Sequence, residues 1–271
     1  MIKENEIIHE IVSKFKNFKQ VEGITLAGSV AFKTEDENSD IDIDVYINNE
    51  LPPSEREKIA REFSDCIEID NQFWGTGDEW KLRNSVKDID IIYLDMQWIK
   101  DYLERVIDRC DAVVGYSTCF WHNVINSRII YDKNGELSKL QERYTVPYPN
   151  KLKENIIAKN YPVLRNNMSA YYYQIEKAIK RKDLISINHR TAALLASYFD
   201  IIFAINGMPH PGEKKLLKII TNNCKKVPFN MHKNVLTLLN SCTSCDNNIL
   251  LHINQLIDNL DELLIKENIN F

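Results

Sequence analysis

Two periodicities of apolar residues share the first half of the chain, one typical of helices and one typical of strands. Apolar residues three and four positions apart predict helices over residues 7–18, 54–63 and 96–109. Strict alternation or short apolar runs predict strands over residues 23–27, 41–47, 65–70 and 89–94. The first half is therefore expected to fold as a mixed sheet flanked by helices.

The second half shows helical spacing only. It begins after Val146-Pro147-Tyr148-Pro149-Asn150, where two prolines stop both helix and sheet. The predicted helices cover residues 152–158, 163–182, 187–206, 213–223, 233–239 and 249–266, and Pro162 is expected to separate the first two. The pattern predicts an α+β chain with a first domain over residues 1–146 and an all-helical C-terminal domain over residues 147–271.

Composition narrows the class of protein without naming a function. The chain has 271 residues, 44% of them hydrophobic and 27% charged, which is ordinary for a globular protein. We expect a cytoplasmic protein, because the start is charged and no apolar run reaches membrane-spanning length. The six scattered cysteines are expected to be reduced thiols.

Charge is distributed unevenly between the two halves. Residues 147–271 hold 16 Lys and Arg against 10 Asp and Glu, whereas residues 1–146 hold 18 against 29. This asymmetry is compatible with metal ions on an acidic wall and phosphates on a basic one, or with chance drift of surface charge.

Three aspartates occupy every second position of the strand at residues 41–47. Asp40, Asp42 and Asp44 share one face, and neighbouring carboxylates on that face lie about 6.5 Å apart. At an effective dielectric constant near 20, each such pair repels by roughly 2.5 kcal/mol. A divalent cation would offset that repulsion, because hard cations prefer carboxylate oxygens. The alternative is an exposed edge strand with an acidic face.

Residues upstream and downstream of these aspartates complete a recognisable pattern. Gly28-Ser29 follows a predicted strand, Ser39-Asp40-Ile41-Asp42 comes about ten residues later, and Asp90 lies within the strand at residues 89–94. The pattern resembles the signature of the polymerase-β-like nucleotidyltransferase superfamily, over about residues 20–95. The resemblance implies a nucleotidyltransferase head in which Gly28-Ser29 holds a triphosphate and Asp40, Asp42 and Asp90 bind two Mg²⁺ ions.

The resemblance also assigns roles to further residues. It implies that Ser39 contacts the nucleotide with Gly28 and Ser29, and Asp88 is the alternative to Asp90 as third carboxylate. Lys214 is expected to contact the nucleotide for a different reason, because it follows a Pro-Gly turn that opens a helix and presents its amides to an anion. Asp44 lies outside the superfamily's pair, so it either supports the site or faces solvent. The chain departs from many members at Lys33, where they carry glycine. Residues 74–80 are expected to form a lid over the site or a plain turn.

The second half resembles, more loosely, an uncharacterised bacterial branch of the same superfamily. The stretches that carry this resemblance are Gly115–His122, Ile157–Pro162, Ile187–Arg190 and His210–Lys214. The implied activity is transfer of a nucleoside monophosphate from ATP or another nucleoside triphosphate to a hydroxyl of a small molecule, with the helical domain binding substrate. Transfer to RNA or protein, and a non-catalytic nucleotide-binding protein, are the alternatives. Nucleic acid is possible as a partner but not indicated, membrane is not expected, and the acceptor and the oligomeric state are open.

Overall fold

The chain forms two compact units. The computed structural model describes residues 4–28, 40–73, 75–83, 85 and 87–271. The head unit comprises Met1–Glu104 and Phe120–Val146, and the helical unit comprises Arg105–Cys119 and Pro147–Phe271. Segment Arg105–Cys119, which the sequence analysis assigns to the first domain, therefore groups with the helical unit.

A mixed six-stranded sheet forms the centre of the head unit. Its strands are β1 (Val21–Leu26), β2 (Ile41–Ile47), β3 (Cys66–Asn71), β4 (Gly77–Lys81), β5 (Asp88–Asp95) and β6 (Arg128–Asp132), in the order β3-β4-β5-β2-β1-β6. Strands β2 and β5 pair in parallel, and the other neighbours are antiparallel. The expectation of a mixed sheet is confirmed, and two of its strands, β4 and β6, were not predicted.

Helices cover the sheet of the head unit. They are α1 (Glu4–Phe15), α2 (Pro53–Phe63), α3 (Met96–Leu103), α4 (Cys119–Asn126) and α5 (Glu136–Tyr144). Helix α3 continues as a single π-helical turn, Glu104–Asp108, so the helix predicted over residues 96–109 has two geometries. The apolar faces of α1 and α2 pack with the odd-numbered residues Ile41, Ile43 and Val45 of β2, which are all buried in one core. The even-numbered aspartates of β2 consequently lie on the opposite face of the sheet.

A buried ion-pair network ties α2 to the sheet on the core side. Two nitrogens of the Arg56 guanidinium donate to Asp78 Oδ1 at 2.9 Å and to Asp70 Oδ1 at 2.7 Å. The hydroxyl of Tyr93 donates to the other oxygen of Asp78 at 2.6 Å, and the guanidinium carbon lies 4.6 Å from the Tyr93 ring centroid. One arginine thus links α2 to β3, β4 and β5, the three strands on one side of β2 in the sheet.

The helical unit contains six long or medium helices after residue 146. They are α6 (Asn150–Leu164), α7 (Tyr171–Lys180), α8 (Leu184–Ile205), α9 (Leu216–Asn223), α10 (Met231–Ser241) and α11 (Asn248–Lys266). Residues 147–271 are all described and contain no strand, as the sequence predicts. Helix α8 lies at the centre, since most of its side chains beyond Thr191 are buried. In the described part of the chain, no helix combines the length and hydrophobicity needed to cross a membrane.

Pro162 does not separate two helices as expected. It lies inside α6, which continues to Leu164, and the interruption falls at residues 165–170. Tyr161 and Leu164, on either side of the proline, are buried in the core of the helical unit. Their packing holds the last turn of the helix despite the backbone hydrogen bond that proline removes.

Candidate active site

Two carboxylates lie side by side where β2 and β5 pair in parallel. The register places Asp42 directly opposite Asp90, with Ile41 opposite Ile89 on the other face. Neighbouring strands are separated by about 5 Å, so two ionised carboxylates at this position repel by roughly 3 kcal/mol at an effective dielectric constant near 20. Asp40 precedes β2 by one residue and is exposed, and alternation places it on the same face as Asp42.

Gly28 lies against the side chain of Asp42. It follows β1 with a left-handed backbone, φ +57°, and a Cβ built there would lie 1.7 Å from Asp42 Oδ2. Any other residue would therefore collide with the carboxylate. The neighbouring Ala27 N–H donates to the Asp42 carbonyl at 3.0 Å, which fixes the end of β1 against β2. The predicted nucleotide contacts Ser29 and Ser39, like Lys33, lie outside the described residues.

Asp44 is buried beside this pair and does not face solvent. Only 4% of its surface is exposed, and its Oδ2 accepts a hydrogen bond of 2.7 Å from Asn123 Nδ2 on α4. Burial raises the pKa of Asp44 to about 7; the hydrogen bond from Asn123 opposes that rise, and the negative charges of Asp42 and Asp90 add to it. Of the two interpretations left open by the sequence, the solvent-facing one is wrong.

Asn123 was not predicted as a site residue, because no local pattern marks it. It lies on a short helix whose sequence was noted only for a family resemblance. Its neighbour His122 is buried, and burial lowers the pKa of that imidazole to about 4, so the ring is neutral at physiological pH. The contact between this helix amide and the buried strand carboxylate is visible only in the three-dimensional structure.

The acidic row continues beyond Asp90 across the sheet. Glu79 of β4 is opposite Asp90, and Glu68 of β3 is opposite Glu79. Glu79 was not predicted as a site residue, because residues 74–80 were expected to form a lid or a turn, whereas Gly77–Lys81 form β4. Asp88, the alternative third carboxylate, is opposite Lys81 instead. The register therefore places Asp90, and not Asp88, directly beside Asp42.

The donor set suits a hard divalent cation in its chemistry but is not a preformed cage. Among the residues the structure describes, no three His, Cys, Asp or Glu side chains converge closely enough to hold a metal ion. The register nevertheless brings Asp42 and Asp90 together, and because Gly28 has no side chain there is room for the Asp42 carboxylate. Oxygen ligands with unbalanced negative charge are those that Mg²⁺ prefers, so these residues fit such an ion.

Lys214 lies in the helical unit, in the segment that precedes α9. Its side chain is exposed, and the next residue, Lys215, caps the helix with a left-handed backbone of φ 56°. The helical unit is separate from the head unit that carries the carboxylates. The contact of Lys214 with the nucleotide remains a prediction.

Buried polar side chains hold one loop of the helical unit in place. The N–H of Gly115 donates to Asn160 Oδ1 at 2.8 Å, and Ser117 Oγ donates to Asp200 Oδ2 at 2.7 Å. Burial raises the pKa of Asp200 to about 6, against the opposing hydrogen bonds from Ser117 and Asn160. Two of the stretches noted for their family resemblance, around Gly115 and Asn160, are thus parts of one hydrogen-bonded network.

A cysteine and a histidine meet at the end of the same loop. Cys119 Sγ lies 3.5 Å from His210 Nδ1, and the N–H of Gly212 donates to that same nitrogen at 3.1 Å. Nδ1 therefore accepts the hydrogen bond from Gly212, and the Cys119 sulfur lies in contact with it. Burial, with the nearby charge of Asp200, raises the pKa of the Cys119 thiol to about 12. The thiol is protonated at neutral pH, so this pair connects two loops and is not an activated nucleophile.

The comparisons with known proteins agree with the geometry of the head unit. Residues 9–87 match the family model "Polymerase beta, Nucleotidyltransferase", a range that contains Gly28, Asp40 and Asp42 and ends before Asp90. The head unit therefore contains a region that matches this nucleotidyltransferase family, and the chain continues into a second domain. Residues 119–216 match a domain of unknown function, DUF4037, which runs from α4 to the start of α9.

One solved structure is similar along most of the chain. It is a nucleotidyltransferase-like protein from Exiguobacterium sibiricum 255-15, with 11% sequence identity and a TM-score of 0.43 over 96% of this chain and 73% of that one. None of the curated proteins matches the sequence. The family match of residues 9–87 therefore supports nucleotidyl transfer as the general activity and leaves the substrates to be argued from the residues.

Proposed function

We propose that the protein is a Mg²⁺-dependent nucleotidyltransferase that moves a nucleoside monophosphate from ATP, or another nucleoside triphosphate, to a hydroxyl of a small-molecule acceptor, releasing pyrophosphate. The observation that carries the proposal is the placement of Asp42 beside Asp90, with Gly28 against Asp42, inside a head of this superfamily. A sheet rarely keeps two adjacent carboxylates unless something compensates their repulsion.

Each site residue has a distinct task in the proposed reaction. Asp40, Asp42 and Asp90 would hold two Mg²⁺ ions, which supply positive charge to the triphosphate and to the entering and leaving oxygens. Asp90 accepts the proton of the acceptor hydroxyl as that oxygen attacks the α-phosphorus. The bond from this phosphorus to the bridging oxygen of pyrophosphate breaks, and the electron pair leaves with the pyrophosphate.

The residues around the carboxylates position the donor nucleotide. Gly28 ends β1 with no side chain, so a phosphate can approach the backbone there. Ser29 and Ser39 would contribute hydroxyl groups to the phosphates, and Lys214 a positive charge. Asp44, held by Asn123, lies two residues from Asp42 on the same face of the strand. The helical unit, with its excess of Lys and Arg, would bind substrate.

Calorimetric titration of the full chain tests the proposal. ATP, GTP, CTP and UTP are titrated in turn, with Mg²⁺ and then with EDTA, into the wild type, Asp42→Asn and Asp90→Asn. Asp88→Asn is the matched control, because it removes the same charge from the same strand at the position opposite Lys81. We expect metal-dependent binding of at least one nucleotide, lost in the first two variants and retained in the control.

Two results would count against the proposal. If folded protein binds no triphosphate under any condition, the site is not that of a transferase and the aspartates are a charged strand face. If Asp88→Asn abolishes binding while Asp90→Asn does not, the assignment of the third carboxylate is wrong. If neither result is found, the nucleotide that binds most tightly is the donor with which acceptor hydroxyls are screened.

A further inference from the structure

A cleft of about 410 Å³ opens in the helical unit, and none of its lining residues belongs to the candidate active site. Its wall is built by the start of α6, the end of α8 and the end of α9 with the residues that follow. The side chains that line it include three lysines and no aspartate or glutamate. The volume lies within the range of small-molecule pockets, roughly 300–1,000 Å³.

The wall is held in place by hydrogen bonds of the protein itself. Asn206, which ends α8, accepts a hydrogen bond from the Lys226 N–H at 2.9 Å and donates one to the Lys226 carbonyl at 2.7 Å. The adjacent Gly207 has a left-handed backbone, φ +62°, and a Cβ there would lie 3.6 Å from the Cβ of Tyr148. The amide oxygen and the amide nitrogen of Asn206 are both hydrogen-bonded within the protein, so the cleft is formed without a ligand.

Two of the three lysines have no acidic partner among the residues that the structure describes. Lys225 makes no ion pair or side-chain hydrogen bond within residues 147–271, all of which are described, or with the rest of the described chain. Lys153 is half-buried, and its ammonium donates a hydrogen bond to the amide oxygen of Asn150 at 3.3 Å. Lys226 differs, because its ammonium lies 2.5 Å from the carboxylate of Glu267. The cleft therefore carries two unbalanced positive charges and a third that is paired.

The start of α6 adds to this positive potential. The helix has 15 residues, no side chain caps its first turn, and no acidic residue lies there. Unpaired N–H groups at a helix start carry a partial positive charge. Asn150 and Lys153 place this start in the cleft wall, next to the two unbalanced lysines.

We propose that this cleft is a binding site for the phosphate group of a small organic phosphate. Phosphate offers several acceptor oxygens and a double charge near neutral pH, which two ammonium groups and a helix start complement. Lys153 and Lys225 contact the phosphate, and Lys226 remains paired with Glu267. The site goes beyond the nucleotidyl transfer proposed above and needs neither Mg²⁺ nor the carboxylates of the head unit.

Pairs of variants with opposite expected effects test this site. Inorganic pyrophosphate, and separately ribose 5-phosphate, is titrated by calorimetry into the full chain in EDTA without Mg²⁺. We expect Lys225→Glu and Lys153→Gln each to weaken binding about tenfold or more. Lys218→Glu is the matched control, since it makes the same charge change on an exposed lysine of α9 that does not line the cleft. We expect that control to change the affinity less than twofold.

Glu267→Gln supplies the opposite test, because it frees the ammonium of Lys226. We expect this variant to bind both phosphates several-fold more tightly. Equal losses in Lys225→Glu and Lys218→Glu would show unspecific attraction to a basic surface and overturn the proposal. Citrate binding as tightly as pyrophosphate would overturn the phosphate class, and no binding of either phosphate would overturn the site. These outcomes are independent of any result with Mg²⁺ and nucleoside triphosphates.

Discussion

Replacing Gly28 with alanine adds one methyl group directly against the Asp42 carboxylate. The new Cβ would lie 1.7 Å from Asp42 Oδ2 and 2.4 Å from Cγ, where ordinary contacts begin at 3.4 Å. The carboxylate must therefore move by well over an ångström, which is enough to cost about a hundredfold in a positioned reaction. The left-handed backbone at φ +57° adds a strain of about 1–2 kcal/mol for any residue with a Cβ.

Gly135→Ala separates these two effects. Gly135 also has a left-handed backbone, φ +71°, but a Cβ there has no neighbour within 4 Å. We expect Gly135→Ala to lose about 1–2 kcal/mol of unfolding free energy in urea denaturation. Gly28→Ala should lose more, because its Cβ also lies 2.9 Å from the Cβ of Asp42. Only Gly28→Ala should lose Mg²⁺-dependent binding of a nucleoside triphosphate, by tenfold or more in calorimetric titration.

The reasoning fails if Gly28→Ala binds the nucleotide as the wild type does. It also fails if Gly135→Ala loses binding to the same extent, since strain alone would then explain the loss. A crystal structure of Gly28→Ala gives a direct check, because the Asp42 side chain should have left its place opposite Asp90.

Three further substitutions test the buried groups. Because burial raises the pKa of Asp44 from 3.8 to about 7, the folded head binds the proton more tightly than the unfolded chain does. Unfolding free energy in EDTA should fall by up to about 1.4 kcal/mol per pH unit from pH 4 to 7 and level off above. Asp44→Asn should flatten that dependence, and an unchanged slope would contradict the assignment. Arg56→Met should cost about 3–5 kcal/mol in urea unfolding, because it leaves the charge of Asp78 buried without its partner; a loss below 1 kcal/mol would show that the network is dispensable. Asp200→Ala should cost about 1–3 kcal/mol and speed amide exchange at Ser117, whose donors lose their acceptor; unchanged exchange would mean that the loop is held by other contacts.

The sequence was sufficient for features that depend on local periodicity. Alternation of apolar and polar residues predicts β2 with its observed bounds, Ile41–Ile47, and places its aspartates on one face. The same argument finds β5, and with it Asp90. The mixed sheet of the head and the helix-only second half follow from the two periods, and both are confirmed.

Other features depend on contacts that no local pattern carries. Strand β4 has the sequence Gly-Asp-Glu-Trp-Lys. Its two buried side chains are Asp78 and Trp80, and because one of them is a carboxylate the sequence does not show an apolar strand face. Asp78 is tolerated there only because Arg56 and Tyr93 reach it from other elements. The position of Pro162 within α6 was missed for the same reason, since packing decided it and not propensity.

The parallel pairing of β2 and β5 bears on how the head must fold. Adjacent parallel strands cannot be joined by a hairpin, and here residues 48–87 separate them, with α2, β3 and β4 in between. Asp42 and Asp90 therefore become neighbours only after this long crossover has closed, a slow step because its loop entropy is lost before the contacts form. A slip of one residue between the two strands would turn Asp42 towards the apolar core. Metal affinity of the head would thus report, during refolding, the moment at which the central strands reach their native alignment.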